Sequence, residues 1–357
     1  MIVTVPSTSR HLRRRAVALP AAVLSLPILV VLAPLAVPLA ALVDLVLARR
    51  RWPSLRIYGG AVNYGALETA GLLASGGLWL ATGFGLWIDR PWSRRAHHRL
   101  QVWWAGQLRA TGERWAGIRL EIEGDELMEP GPLLVLPRHA SVVDALLPSW
   151  MCGVDHDLRL RYVLKDELLW VPCLDVVGNR LPNHFIDRDG GAGEIDAIRH
   201  LGTGLGDDEV VIIFPEGTFP TPALRRKLPE RLARRDPELA ELAAGLRHLL
   251  PPRPGGTLAL LDATDDVGAD VVLIAHVGLE VLTPVTAIWR RIPLCRPVQV
   301  KVWRIPRHEI PVGLAERRRW LLATWQVLDD WVDAATRARA TPAPRGRLPG
   351  TDTEDPE

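Results

Sequence analysis

The stretch Val210–Phe219, VVIIFPEGTF, decides how the chain is read. Five apolar residues in a row, four of them β-branched, read as a strand buried on both faces. The run stops at Pro215, which has no N–H for a ladder, and an ionisable Glu216 and a permissive Gly217 follow at once. Strands of this kind belong to sheets covered by helices, in which ligands gather in loops beyond the carboxy ends of the strands. The plainer reading of FPEGTF is a polar turn with Glu216 capping a helix.

Working outward, LLVL (133–136), LRYVL (160–164), HFID (184–187), DVVLIAHVGLE (270–280) and VQVKVW (298–303) read as further strands, with helical stretches between several of them. The expected fold class is α/β, a mixed, largely parallel sheet flanked by helices. The loop after LLVL is LPRHASVVDALLP, Leu136–Pro148. Ser141 and Asp144 fit a capping box for a helix beginning near Val142. His139 and Asp144 also fit a histidine–carboxylate pair, in which the acid fixes the ring tautomer and leaves the other nitrogen to take a proton. Residues five apart lie about 140° apart on a regular helix, so the pair can meet only if His139 sits in the loop before the first turn. Pro137 favours that loop. The same spacing recurs at His184 and Asp189, a built-in decoy. Within FIDRD, Arg188 offers a planar fork suited to a phosphate or, more plainly, a salt bridge to Asp187 or Asp189.

The 357 residues carry a net charge of only +2, unevenly spread. Residues 1–116 hold fourteen arginines against four acids, a net of +10; the remainder is net −8. That basic part is also the apolar part. Residues 16–43 contain no charge, long enough to cross a hydrocarbon core of about 30 Å, and residues 59–88 form a second apolar run interrupted only by Glu68. Pro20, Pro27, Pro34 and Pro38 would kink a simple span, which leaves re-entrant hairpins open beside true spans. Arginines flank every segment, so the positive-inside rule puts the carboxy-terminal domain in the cytoplasm, on an integral protein of the cell membrane. The expected organisation is membrane segments over 1–92, an interfacial amphipathic helix over 93–116, a cytoplasmic domain over 117–340 and a disordered tail over 341–357. Three scattered cysteines show no C-x-x-C spacing and suggest a reducing compartment. G-x-S-x-G, Walker and H-E-x-x-H motifs are absent from the sequence, and Gly202, Gly204 and Gly206 read as a helix exit and turn. A nucleic-acid partner is disfavoured because the basic charge lies beside the apolar segments.

RHASVVD, FIDR and FPEGT, in that order behind apolar segments, resemble the glycerophospholipid acyltransferase family, which includes 1-acylglycerol-3-phosphate acyltransferases. YVLKDELLWVPCLDVVG is similar to the family's lysine-bearing segment, GLRHLLPPRPGG to its proline-rich block, and VWRIPRHEIP with the following Trp-rich helix to the tail of the lysophospholipid acyltransferase branch. The resemblance implies that His139, oriented by Asp144, deprotonates an acceptor hydroxyl, which attacks the thioester of acyl-CoA or acyl carrier protein. Lys165 and Arg188 would hold the phosphate of a lysophospholipid acceptor, foremost 1-acyl-glycerol-3-phosphate, and Glu216, Gly217 and Thr218 would shape the same pocket. No metal or cofactor is implied. Two departures bear on the acceptor. Arg138 stands where the family usually has asparagine, and Phe219–Pro220 stand where Arg-Ser commonly follows FPEGT, so one cation is missing; Arg225, Arg226 and Lys227 are candidate replacements.

Overall fold

The computed structural model describes residues 8–186, 193–234 and 236–340. Seven strands form one sheet: β1 (Leu120–Glu123), β2 (Leu133–Pro137), β3 (Arg159–Lys165), β4 (His184–Ile186), β5 (Glu209–Ile212), β6 (Asp270–Val277) and β7 (Val298–Ile305). Their order is β1-β7-β6-β2-β5-β3-β4. From β6 to β4 every pairing is parallel, and β7 turns antiparallel to β6, so the sheet is mixed and largely parallel as expected. β2, β5 and β6 stand at its centre, and each is apolar on both faces. Leu133, Val135, Val210, Ile212, Val272 and Ile274 pack on one side against Leu147, Trp150 and Met151. Leu134, Leu136, Val211, Val271 and Leu273 pack on the other, among the described helices. Period-two burial on both faces is why the sequence shows unbroken apolar runs rather than alternation.

The helices are α1 (Thr8–Val46), α2 (Pro53–Ala81), α3 (Pro91–Thr111), α4 (Pro172–Gly178), α5 (Glu194–Gly202), α6 (Pro222–Ala233), α7 (Pro237–Gly245), α8 (Pro254–Ala263), α9 (Ile288–Arg291) and α10 (Leu314–Ala340). α5, α8 and α10 cover the second face through Ile198, Leu201, Leu260, Leu261, Leu321 and Trp325. The helix expected near Val142 is not regular. A 3₁₀ turn at Asp144–Leu146 gives way to a π-type stretch at Ser149–Asp155. Pro148, between them, cannot donate to the Asp144 carbonyl, so the i to i−4 ladder is broken there. β1, an edge strand of four alternating residues, had no counterpart among the expected strands.

Among the described residues α1 alone is long and apolar enough to cross a membrane; α2 falls short of that. α1 lies along α2; its N-terminal end is tied to α4, and the turn that follows it reaches α9. At one end Arg14 and Arg15 donate to the buried carboxylate of Asp175 in α4, at 2.9 and 2.8 Å. Toward the other, Asp44 accepts the Ser54 N–H at 3.0 Å and so caps α2, and the Arg49 guanidinium lies 4.8 Å above the Trp289 ring of α9. Glu68, the one charge in the second apolar run, accepts the Cys173 N–H at 3.0 Å at the start of α4. α3 buries Ser93, His97, His98, Leu100 and Ala105. Gly202 ends α5, and Gly204 turns the chain with a φ of 59°, the expected helix exit. The expected tail over 341–357 lies outside the described residues.

Candidate active site

The parallel register fixes where the loops meet. Pro137 at the end of β2 pairs with Ile274 in β6, and Val135 pairs with Ile212 at the end of β5. The loops carrying His139 and Glu216 therefore leave adjacent central strands at the same edge. The Arg138 N–H still reaches the Ile274 carbonyl at 2.8 Å, so the strand pairing extends to the residue before the histidine.

His139 sits in that loop, ahead of the first turn, which is the condition for meeting Asp144. Its Nδ1 lies 2.7 Å from Asp144 Oδ1. The second oxygen, Oδ2, accepts the N–H groups of Ala140 at 2.5 Å and Ser141 at 2.6 Å, while Asp144 N–H donates to Ser141 Oγ at 3.3 Å. The two sequence readings are thus one arrangement: one carboxylate oxygen holds the ring and the other caps the turn. Asp144 is 1% exposed. Burial alone would raise its pKa, but the imidazoles of His139 and His276 hold it well below the usual carboxylate range. An ionised carboxylate only accepts, so the ring proton resides on Nδ1, and Nε2 carries the lone pair. That nitrogen has no hydrogen-bond partner among the described residues. The ring stands between Phe214 and Phe219, at centroid distances of 4.8 and 5.4 Å.

His276 has no counterpart among the expected site residues. It is fully buried on β6, with Nε2 3.2 Å from Asp144 Oδ2. That approach is not a well-aligned hydrogen bond, and neither ring nitrogen of His276 has a hydrogen-bond partner among the described residues, a burial that costs about 1–3 kcal/mol per unsatisfied group. The signal in the sequence was a lone histidine inside the apolar run VVLIAHV. Arg138 is also buried; its guanidinium donates to the His276 carbonyl and stands 4.0 Å from Glu280. It is a strut of the loop.

Glu216, expected to shape the acceptor pocket, stands behind the His139 loop. Oε1 accepts the His139 N–H at 2.8 Å, and Oε2 accepts the Leu250 N–H at 2.8 Å. Both oxygens are engaged with backbone, so Glu216 braces the histidine loop against the segment before α8. Burial pushes its pKa up to about 8, partly offset by those two N–H groups and by Arg138. The brace extends outward, because Asp329 of α10 accepts the N–H groups of Arg247, His248 and Leu249, each at 2.8 Å. Gly217 adopts a φ of 65°, a left-handed conformation that glycine takes freely. Thr218 lies beside it, half-buried.

Lys165 ends β3, exposed and in register with Ile186 of β4, on the same edge of the sheet as His139. Arg188 and Asp189 lie outside the described residues. The decoy His184 is engaged elsewhere, with Nε2 2.8 Å from Glu194. Arg225 donates to the Arg247 and His248 carbonyls, so it is not the replacement cation. Beneath the His139–Asp144 turn lies an apolar cavity of about 360 Å³, lined by Val142, Val143 and Leu146 from that turn, Tyr64 and Gly71 of α2, and Leu108 of α3, among others. That volume falls within the ~300–1,000 Å³ of small-molecule sites.

A histidine held by a buried carboxylate thus stands at the carboxy edge of a mixed α/β sheet. Residues 119–256 match the Acyltransferase family model. The chain is 23% identical over 228 residues to mouse 1-acyl-sn-glycerol-3-phosphate acyltransferase epsilon, covering 61% of each chain. It is 27% identical over 136 residues to the lyso-ornithine lipid O-acyltransferase of Rhizobium meliloti (strain 1021), covering 37% of this chain and 40% of the other. The match spans less than two thirds of either relative's length. Among solved structures, the 1-acyl-sn-glycerophosphate (LPA) acyltransferase PlsC from Thermotoga maritima is 15% identical, with a TM-score of 0.45, over 76% of this chain and 98% of that one.

Proposed function

We propose that the protein transfers a fatty acyl group from a thioester donor, acyl-CoA or acyl carrier protein, to the free hydroxyl of a lysophospholipid, foremost 1-acyl-glycerol-3-phosphate. The observation that carries this reading is His139, its Nδ1 held by Asp144 and its Nε2 unengaged between two phenylalanines. The acceptor hydroxyl gives its proton to Nε2 as its oxygen bonds to the thioester carbonyl carbon. The imidazolium so formed faces the Asp144 carboxylate, which stabilises it. Collapse of the tetrahedral adduct breaks the C–S bond, and the departing thiolate recovers the proton from Nε2. A thioester needs little help to lose a thiolate whereas an alcohol needs a base, so the histidine is placed where the help is required. Neither a metal nor an acyl-enzyme enters these steps.

The apolar cavity under the His139–Asp144 turn suits an acyl chain. Because α2 and α3 line it, the chain would enter from the side where α1 exposes its apolar surface. Membrane attachment through α1 is part of the reading. Residues 15 to 46 of α1 span about 46 Å at 1.5 Å per residue, yet Arg15 at one end pairs with Asp175 and Arg49, just past the other, stacks on Trp289, which supports a helix embedded along the interface rather than one crossing the bilayer. The sheet domain would then lie on the cytoplasmic side, with the arginines at the lipid headgroups. The test is a screen of lysophospholipid acceptors, with and without phosphate, using purified protein in detergent. Mass spectrometry of products and thioester consumption are read together. Acylation of a phosphate-bearing acceptor above all others is expected. Preference for a lyso-ornithine or glycolipid acceptor would transfer the reading to that class, and absence of any thioester turnover would leave a scaffold on this fold.

A further inference from the structure

The three basic residues of α6 were the sequence's candidates for the cation absent after FPEGT, and Arg225 is spent on carbonyls. A different arginine lies at the catalytic loop. Arg253 donates its N–H to the Pro215 carbonyl at 2.8 Å, which fixes it beside the turn that carries Glu216. Its side chain runs across Gly217. A Cβ at that position would stand 3.1 Å from Arg253 Cδ, 3.2 Å from Nε and 3.3 Å from Cζ, so the absent side chain is what lets the guanidinium lie there. Pro251, Pro252 and Pro254 flank Arg253 and lock the backbone on either side. The side chain is exposed and has no hydrogen-bond or ion-pair partner among the described residues. Arg138, by contrast, is buried as a strut.

An unengaged planar fork on a rigid mount, packed on the glycine that follows Glu216, is built for an oxyanion with two oxygens to offer. We infer that Arg253 binds the phosphate of the acyl acceptor and so selects lysophospholipids with an anionic head over uncharged acylglycerols. The inference rests on the acyl-transfer reading for its ligand. Its geometry explains how Phe219 can replace a cation: Phe219 packs edge-on against the His139 ring at 5.4 Å, and the charge comes from across Gly217 instead.

The experiment measures equilibrium binding of a lysophosphatidate and of an uncharged monoacylglycerol to the full chain in detergent, for wild type, Arg253→Gln, Arg253→Lys and Arg226→Gln. Steady-state KM for acceptor and for acyl-CoA is measured on the same proteins. Binding needs no turnover, so failure of the acyl-transfer reading registers separately, as absent turnover. Arg253→Gln is expected to weaken lysophosphatidate binding and raise its KM by roughly 10-fold or more, as loss of a charge-assisted pair implies. Donor KM and monoacylglycerol binding should stay unchanged, with partial recovery in Arg253→Lys and none of these effects in Arg226→Gln. Unchanged lysophosphatidate affinity in Arg253→Gln overturns the inference. So does a rise confined to the acyl-CoA KM, which would assign the fork to the donor's phosphates, or an effect of Arg226→Gln equal to that of Arg253→Gln.

Discussion

Asp144 serves the ring with one oxygen and the turn with the other, and that division decides what its amide analogue does. In Asp144→Asn the single carbonyl oxygen is claimed by the two N–H groups of Ala140 and Ser141, which leaves the NH₂ facing His139 Nδ1. The ring must then accept there and carry its proton on Nε2, the wrong tautomer for a base. A folded protein with kcat lowered by on the order of 10⁴ is expected; retained turnover would mean that Asp144 only caps. Glu216 gives a second residue-scale test. Its folded pKa of about 8 stands above the ordinary 4.5, so between those values the folded protein holds a proton the unfolded chain has lost. Stability from this group is therefore full below about pH 4.5 and is lost as pH rises through about 8, at no more than ~1.4 kcal/mol per pH unit. Urea midpoints from pH 5 to 8 should fall less steeply in Glu216→Gln than in wild type, and equal slopes would contradict the assignment. His139 and Asp144 were legible because the pair is local in sequence. His276 and Arg253 were not, because their partners lie 132 and 36 positions away and only the sheet brings them together.

At the scale of elements, the central strands were legible from composition alone, since strands buried on both faces cannot hide their apolar runs. β1 was missed because a four-residue edge strand carries two glutamates and little pattern. The expected helix after Asp144 failed on a single residue, Pro148, which breaks the ladder. The cavity belongs to this scale, because no one segment encodes it. α2, α3, α4, β3 and the His139–Asp144 turn each contribute part of its wall. At Gly71 an added Cβ would stand 2.5 Å from Cys173 Sγ, so Gly71→Val crowds one end of that space. Leu108→Trp fills it from α3 without touching that contact. Both variants are expected to lower kcat/KM for long-chain donors by about 10-fold or more while sparing short-chain ones, in keeping with the 10–200-fold worth of pocket methylenes. A uniform loss across chain lengths in both, with unchanged thermal midpoints, would remove the cavity from the acyl path.

For the whole molecule, the sequence separated a basic, apolar third from an acidic remainder, and the structure joins the two through Asp175, Trp289 and Cys173. Composition could mark α1 as long and apolar enough for lipid, but not that its start and the turn after it both return to the sheet domain. An embedded helix of this length should keep the protein on membranes through a high-salt wash and release it to detergent, whereas release by salt alone would leave only a peripheral, electrostatic attachment. For the question of which histidine moves the proton the chain supplies its own control, since His184 has the same five-residue spacing to an acid but is engaged by Glu194. The deciding measurement is thioester turnover by purified His139→Ala and His184→Ala beside wild type, with lysophosphatidate as acceptor. His139→Ala should lower kcat by about 10²- to 10⁴-fold, the usual range for removing a general base, and His184→Ala should keep most of the activity. Turnover retained in His139→Ala, or lost equally in both, would contradict the account.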